Sequence, residues 1–164
     1  MIEKSIKDAI NEQIKSEFAS AYVYLSMAAY CESANLPGFA HWMRMQSREE
    51  AAHAMKLFDY LNDRGGRVTL QALEQPPTDF KSPLDMMEQA LSHEQGVSGM
   101  INQLYALAVK ENDYATQGHL QWFVMEQVEE EKTAGDVVER LKLVGNHVPG
   151  LLLVDRELAA RASK

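Results

Sequence analysis

Phe39-Ala-His-Trp-Met-Arg-Met-Gln-Ser-Arg-Glu-Glu-Ala-Ala-His-Ala-Met-Lys-Leu-Phe-Asp-Tyr60 carries a seam at steps of three and four: Phe39, Met43, Gln46, Glu50, His53, Leu57 and Tyr60. That spacing places them on one face of an α-helix, the face that a helix bundle buries. An amide, a carboxylate and an imidazole interrupt it at mid-length, where a bundle core expects leucine. A buried carboxylate is costly unless something neutralises it.

Three further stretches repeat the pattern. One runs Ile10, Ile14, Glu17, Ala21, Tyr24, Ala28. The next runs Leu84, Met87, Leu91, Glu94, Ser98, Ile101, Tyr105, Ala108. The last runs Thr116, Leu120, Phe123, Gln127, Glu130, Ala134, Val137, Leu141, Val144. Glu17, Glu50, Glu94 and Glu130 stand at matching heights, and no lysine or arginine shares their seams. Alone, these carboxylates would have to stay protonated or repel one another. A multivalent cation resolves the conflict.

Helix punctuation frames the seams. The spacing predicts a first helix over 3–33 and a break at Asn35-Leu-Pro-Gly38. A second helix then runs to residue 64, stopped by Gly65-Gly66. The third starts with Ser82 as N-cap, Pro83 at the first helical position and Asp85 in the first turn, and runs to residue 110. After Glu111-Asn-Asp113 a fourth reaches residue 144, where Gly145-Asn146 ends it. A short fifth covers 149–160. The first and last long pairs have short connections and so form antiparallel hairpins. The connection over 65–82 reaches up to roughly 60 Å extended, against ~45 Å for a helix of this length. It can cross the whole bundle, so the second and third helices run parallel. The expected fold is all-α: a four-helix bundle with one long crossover plus a short C-terminal fifth helix.

The chain has 164 residues, expected to form one domain over 1–164. A net charge of −8 argues against nucleic acid as a partner and suits attraction of cations. The single cysteine, Cys31, cannot form an internal disulfide and reads as a packed residue. There is no apolar leader and no run approaching the ~20 residues of a membrane span. A cytoplasmic protein without membrane association is expected. Arg67-Val-Thr-Leu70 looks extended and suited to pairing with a partner chain, and the apolar Leu151-Leu-Leu-Val154 needs cover.

Glu50/His53 and Gln127/Glu130 are spaced i, i+3, so each pair projects from one helix face. Four carboxylates balance two divalent cations. An oxygen-rich set with one imidazole suits iron or manganese better than a structural zinc site.

Four segments, Ser16-Glu-Phe-Ala-Ser-Ala-Tyr-Val-Tyr24, Arg48-Glu-Glu-Ala-Ala-His53, His93-Glu94 and Glu126-Gln-Val-Glu-Glu130, occur in this order with the long crossover between the second and third. Together they resemble the non-haem bacterial-type ferritins of the ferritin-like di-iron superfamily, over essentially the whole chain. The resemblance implies a ferroxidase that stores iron: Fe(II) is oxidised by O2 or hydrogen peroxide at a di-iron centre inside the bundle. The ferric product is then stored as mineral in a hollow shell of 24 subunits. Glu17, Glu50 and His53 resemble ligands of the first iron, and Glu94 and Glu130 those of the second, with Glu50 bridging and Gln127 beside the pair. Glu49, Glu126 and Glu129 resemble a third iron site sharing Glu130. Tyr24 resembles a hydrogen-bonding, redox-active partner of the centre. The fifth helix resembles the one that lines a symmetry-axis channel.

Departures narrow the resemblance. The fourth helix offers Gln127-x-x-Glu130 where bacterioferritins and rubrerythrins carry a second Glu-x-x-His. Ala51 occupies the place of the bacterioferritin haem-ligating methionine, so no haem is expected. One cysteine cannot build a rubrerythrin iron domain. Trp122, next to the seam, reads as packing before a one-electron role; His41, His93, His119 and His147 read as surface or packing residues, and Met43 and Met87 as core filling. Competing readings are a small di-iron peroxidase or oxygenase, a DNA-protecting mini-ferritin, and a metal-free interaction bundle. The intra-bundle ligands and the lack of a basic tail weigh against the mini-ferritin.

Overall fold

A computed structural model describes residues 2–162. In order these residues form α1 (Lys4–Ser33), α2 (Pro37–Asp63), α3 (Pro83–Lys110), α4 (Tyr114–Val144) and α5 (Val148–Leu158). Strands are absent among the described residues.

Side-chain bonds between helices fix their directions. Ser20 pairs with His93 and Tyr24 with Glu94, while Ser16 meets Met100, so α3 runs antiparallel to α1. Ser47 donates to the Ala21 carbonyl and Arg44 to Glu32, so α2 runs antiparallel to α1. Tyr60 meets Thr116 and Gln46 meets Glu130, so α4 runs antiparallel to α2. Hence α2 and α3 are parallel, as the long crossover requires.

The seams bury two apolar halves. One contains Met27, Phe39, Met43, Met87 and Leu141. The other contains Ile6, Ile10, Leu57, Leu61, Ile101 and Leu120. The polar layer lies between them, so apolar packing above and below holds it dry. Cys31 is part of the first half, and burial, with Asp155 and Glu32 nearby, pushes its thiol up to about 12, as befits a packed residue.

Helix ends follow their capping chemistry. Ser82 Oγ accepts from Asp85 N at 3.0 Å and Asp113 Oδ1 from Thr116 N at 3.0 Å, capping α3 and α4. Gly65 (φ 71°) and Gly145 (φ 56°) take positive φ, which glycine adopts without strain, at the ends of α2 and α4. Three helices, α1, α2 and α5, differ at their ends from the sequence expectation. The first helix starts at Lys4, with Glu3 as its N-cap. Gly38 lies inside the first turn of α2 because Asp155 of α5 completes that turn, accepting from Phe39 N at 2.9 Å. The fifth helix spans Val148–Leu158 because His147 Nδ1 accepts from Gly150 N at 3.0 Å and starts it early.

The crossover forms no strand. Asn11 substitutes for one: its Oδ1 accepts from Thr69 N at 2.8 Å and its Nδ2 donates to the Arg67 carbonyl at 3.3 Å. The extended look of this segment therefore serves a bond to α1 within the chain.

Candidate metal centre

Each helix of the bundle delivers one carboxylate to the polar layer. Glu17, Glu50, Glu94 and Glu130 are 0–2% exposed. Glu17, Glu50 and His53 offer ligand atoms that all lie within 4.8 Å of one another, and His53, Glu126 and Glu130 form a second such group. The layer thus presents two adjoining donor sets that share His53.

Amides hold the carboxylates in place. Gln13 Nε2 donates to Glu17 Oε1 at 2.8 Å. Gln46 Nε2 donates to Glu50 Oε1 at 3.3 Å and also to Glu130 Oε2. Gln127 Nε2 is 3.2 Å from Glu94 Oε2 and 3.2 Å from Ser98 Oγ. The Tyr24 hydroxyl donates to Glu94 Oε1. Glu94, held by Tyr24 and Gln127, enters neither donor group.

Electrostatics leave the layer short of positive charge. Burial raises Glu17 to about 8, and the neighbouring Glu50 adds to the shift. Burial likewise pushes Glu50 well above the usual carboxylate range, reinforced by Glu94 and Glu130. Burial raises the Tyr24 hydroxyl as well, and the nearby Glu94, Glu50 and Glu130 add to it, so it remains a proton donor to Glu94. Glu17 Oε2 and Glu50 Oε2 are buried without an amide or hydroxyl donor, the two carboxyls facing each other and His53 Nδ1 standing 3.5 Å from Glu50 Oε2. Buried acceptors converging beside the His53 imidazole fit divalent cations: a metal ion would take the place of the missing donors and cancel the repulsion.

Aromatic rings wall the centre. His53 packs edge-on against Trp122 and Phe123, with centroids 5.3 and 6.2 Å away. Lys56 Nζ sits 4.2 Å over the Trp122 ring. The other histidines serve packing or capping. His93 bonds Ser20 at 2.7 Å, His119 stacks on Tyr60 at 4.0 Å, and His147 caps α5.

Of the residues expected at a third site, Glu126 approaches Glu130 and His53. Glu129 is exposed on α4. Glu49 instead pairs with Arg161, Nη2 to Oε2 at 2.7 Å. The sequence pattern puts Gln46 and Ser98 in seams without a role and singles out neither Gln13 nor Arg161. A signal for two of them was present: Gln13 and Gln46 each precede a buried glutamate by four residues, the offset at which an amide reaches a carboxylate on the same helix face.

Comparison with known proteins bears on this arrangement. A ferritin-like domain (Ferritin) matches residues 7–144. The chain belongs to the ferritin family. It is 40% identical over 162 residues to a bacterial non-heme ferritin of Staphylococcus haemolyticus (strain JCSC1435), covering 99% of this chain and 98% of that protein. It is 42% identical over 161 residues to a bacterial non-heme ferritin of Bacteroides fragilis (strain 638R), covering 98% and 100%. Among solved structures, an engineered closed form of the Archaeoglobus fulgidus ferritin superposes with a TM-score of 0.99 at 48% identity, covering 100% of both chains. The open-pore ferritin of the same archaeon gives 0.98 at 48% identity, covering 99% of this chain and 100% of that one. No helix among the described residues of this ferritin is long and apolar enough to cross a membrane.

Proposed function

We propose that this chain, acting as a single domain over 1–164, takes up Fe(II), oxidises it with O2 or hydrogen peroxide, and stores the ferric product inside a cytoplasmic shell of 24 copies. The observation that carries the reading is the buried group of Glu17, Glu50 and His53, whose ligand atoms converge while two carboxylate oxygens lack an amide or hydroxyl donor. Iron is substrate and cargo here. Two Fe(II) ions match the charge of the four inward carboxylates. Glu17, Glu50 and His53 hold one ion, and Glu94 and Glu130 the other, with Glu50 between them and Gln127 alongside. Each ion gives up one electron, so a two-electron oxidant is reduced in one encounter. Oxidation overloads the negative shell with positive charge, which weakens the hold on the product and favours its release inward. Tyr24, donating to Glu94, fixes that ligand and serves as an electron donor to the pair. Glu126 and Glu129, with Glu49, serve a third metal that shares Glu130.

Exposed apolar residues support assembly. Tyr22, Leu25, Leu70 and Leu73 sit on α1 and the crossover, and Leu152 and Leu153 on α5, each more than a third exposed. The family relationship supports iron over the competing di-iron oxygenase.

The test is the initial rate of aerobic Fe(II) oxidation by Glu50→Ala beside the parent chain. Loss of the shared ligand is expected to reduce the fast phase at least a hundredfold (about 2.7 kcal/mol in barrier). A parent-like initial rate would remove the paired site from the account.

A further inference from the structure

The C-terminal segment returns from α5 to α2. Beyond α5, Arg161 lies back along α2, with Nη2 2.7 Å from Glu49 Oε2 and its guanidinium 4.6 Å from the Trp42 ring centroid. His41 Nε2 is 2.8 Å from the Arg161 carbonyl oxygen. Trp42 and Glu49 are two turns apart on one helix face, so an extended side chain lying along that face meets both. The ion pair is secluded, with side chains 15% and 9% exposed for Arg161 and Glu49. Each partner keeps one buried atom without a bond: Arg161 Nη1 and Glu49 Oε1.

A tail fastened for stability alone gains most from a two-pronged guanidinium–carboxylate pair. Here a carboxylate oxygen beside the metal layer is kept dry and undonated, which is expensive. Glu49 directly precedes Glu50 in α2, on an adjoining face of the same helix. We propose that Arg161 is a displaceable internal counter-ion for Glu49. It closes the outer metal position in the metal-free chain, and a divalent cation that takes Glu49 releases the C-terminal segment from α2. This rests on the proposed reading of Glu49 as a metal ligand together with Glu126 and Glu129. A divalent ion on Glu49 would meet the Arg161 guanidinium within a few ångströms, and like charges that close repel strongly in low dielectric, so the two compete for the carboxylate. Competition is reciprocal: the metal weakens the tail contact by the factor by which the tail weakens the metal. Filling order follows. The Glu17–Glu50–His53 position displaces no cation, whereas the outer one must break the Arg161 contacts, so it fills last and most weakly.

The experiment titrates Zn(II), which is redox-inert, into the metal-free assembled protein. Calorimetry follows binding, and hydrogen–deuterium exchange follows residues 159–162. In the parent chain those residues are expected to lose protection with the third equivalent and not before. Arg161→Ala should tighten the third step roughly tenfold or more, the worth of one charged hydrogen bond, leave the first two steps in place, and show an unprotected C-terminus from the start. Glu49→Gln, which keeps the volume and removes the charge, should abolish the third step. A third step of parent strength in Arg161→Ala, or protection that survives saturating Zn(II), overturns the proposal while leaving the paired site intact. Absence of the first two steps in the parent chain overturns the metal-centre reading and this proposal with it.

Discussion

Glu17 shows how one buried side chain sets the behaviour of the metal-free protein. Its carboxyl is raised from 4.5 to about 8, chiefly by burial. A raised acid favours the folded state while protonated, so its contribution is full below pH 4.5 and is lost as the pH climbs through 8. Glu50 shifts in the same direction. Chelated protein should therefore lose on the order of a few kcal/mol between pH 5 and pH 9, and a divalent cation should restore it. Scanning calorimetry with and without Zn(II) checks this; a metal-free melting temperature that climbs across the range contradicts it. Tyr24→Phe removes the donor to buried Glu94 and is expected to cost about 1–3 kcal/mol in denaturant unfolding. At this scale the inward glutamates and His53 were legible because seam periodicity alone places them in the core. Arg161 and Asp155 were not. Their partners, Glu49 and Phe39, lie more than a hundred residues away in sequence, and no local pattern encodes such a contact.

Between elements, two joints hold the layer in register. Arg64 grips Asp113 with both prongs, at 2.9 and 3.0 Å, and reaches Tyr60 at 2.6 Å. Asp113 also caps α4, so the same side chain starts one helix and ties it to the end of another. Asp113→Ala should cost about 2 kcal/mol, roughly one cap plus a partly buried ion pair, read as a lowered denaturation midpoint with an unchanged slope. The other joint is the crossing of α2 and α5. A Cβ on Gly38 would meet the Asp155 carbonyl oxygen at 1.6 Å. Gly38→Ala should therefore displace α5 and raise hydrogen exchange over 148–158 while α3 keeps its protection; unchanged exchange there would argue against the joint. The helix stops at Gly65 and Gly145 were readable because a terminus at positive φ favours glycine. Gly38 was misread as a breaker because its smallness answers to α5, a contact that sequence order conceals.

For the whole molecule, the separation of two apolar halves by one charged layer gives the account its unity. The halves supply rigidity, the layer would supply the affinity for cations proposed above, and the net charge of −8 favours their approach. Topology was legible because the crossover over 65–82 is far longer than a hairpin needs. Assembly was less so, since exposed Leu152 and Leu153 show that α5 seeks cover without saying how many copies supply it. On the proposed function, the buried carboxylate layer feeds an iron store. The most direct test is aerobic Fe(II) addition to metal-free protein, followed by size-exclusion chromatography with iron detection. We expect fast oxidation and on the order of hundreds of irons per assembly, co-eluting with a very large particle, since a hollow shell holds far more metal than its ligands do. Oxidation that stops at about two irons per chain on a small oligomer, the capacity of the four-carboxylate layer alone, would contradict storage and move the function to di-iron redox catalysis.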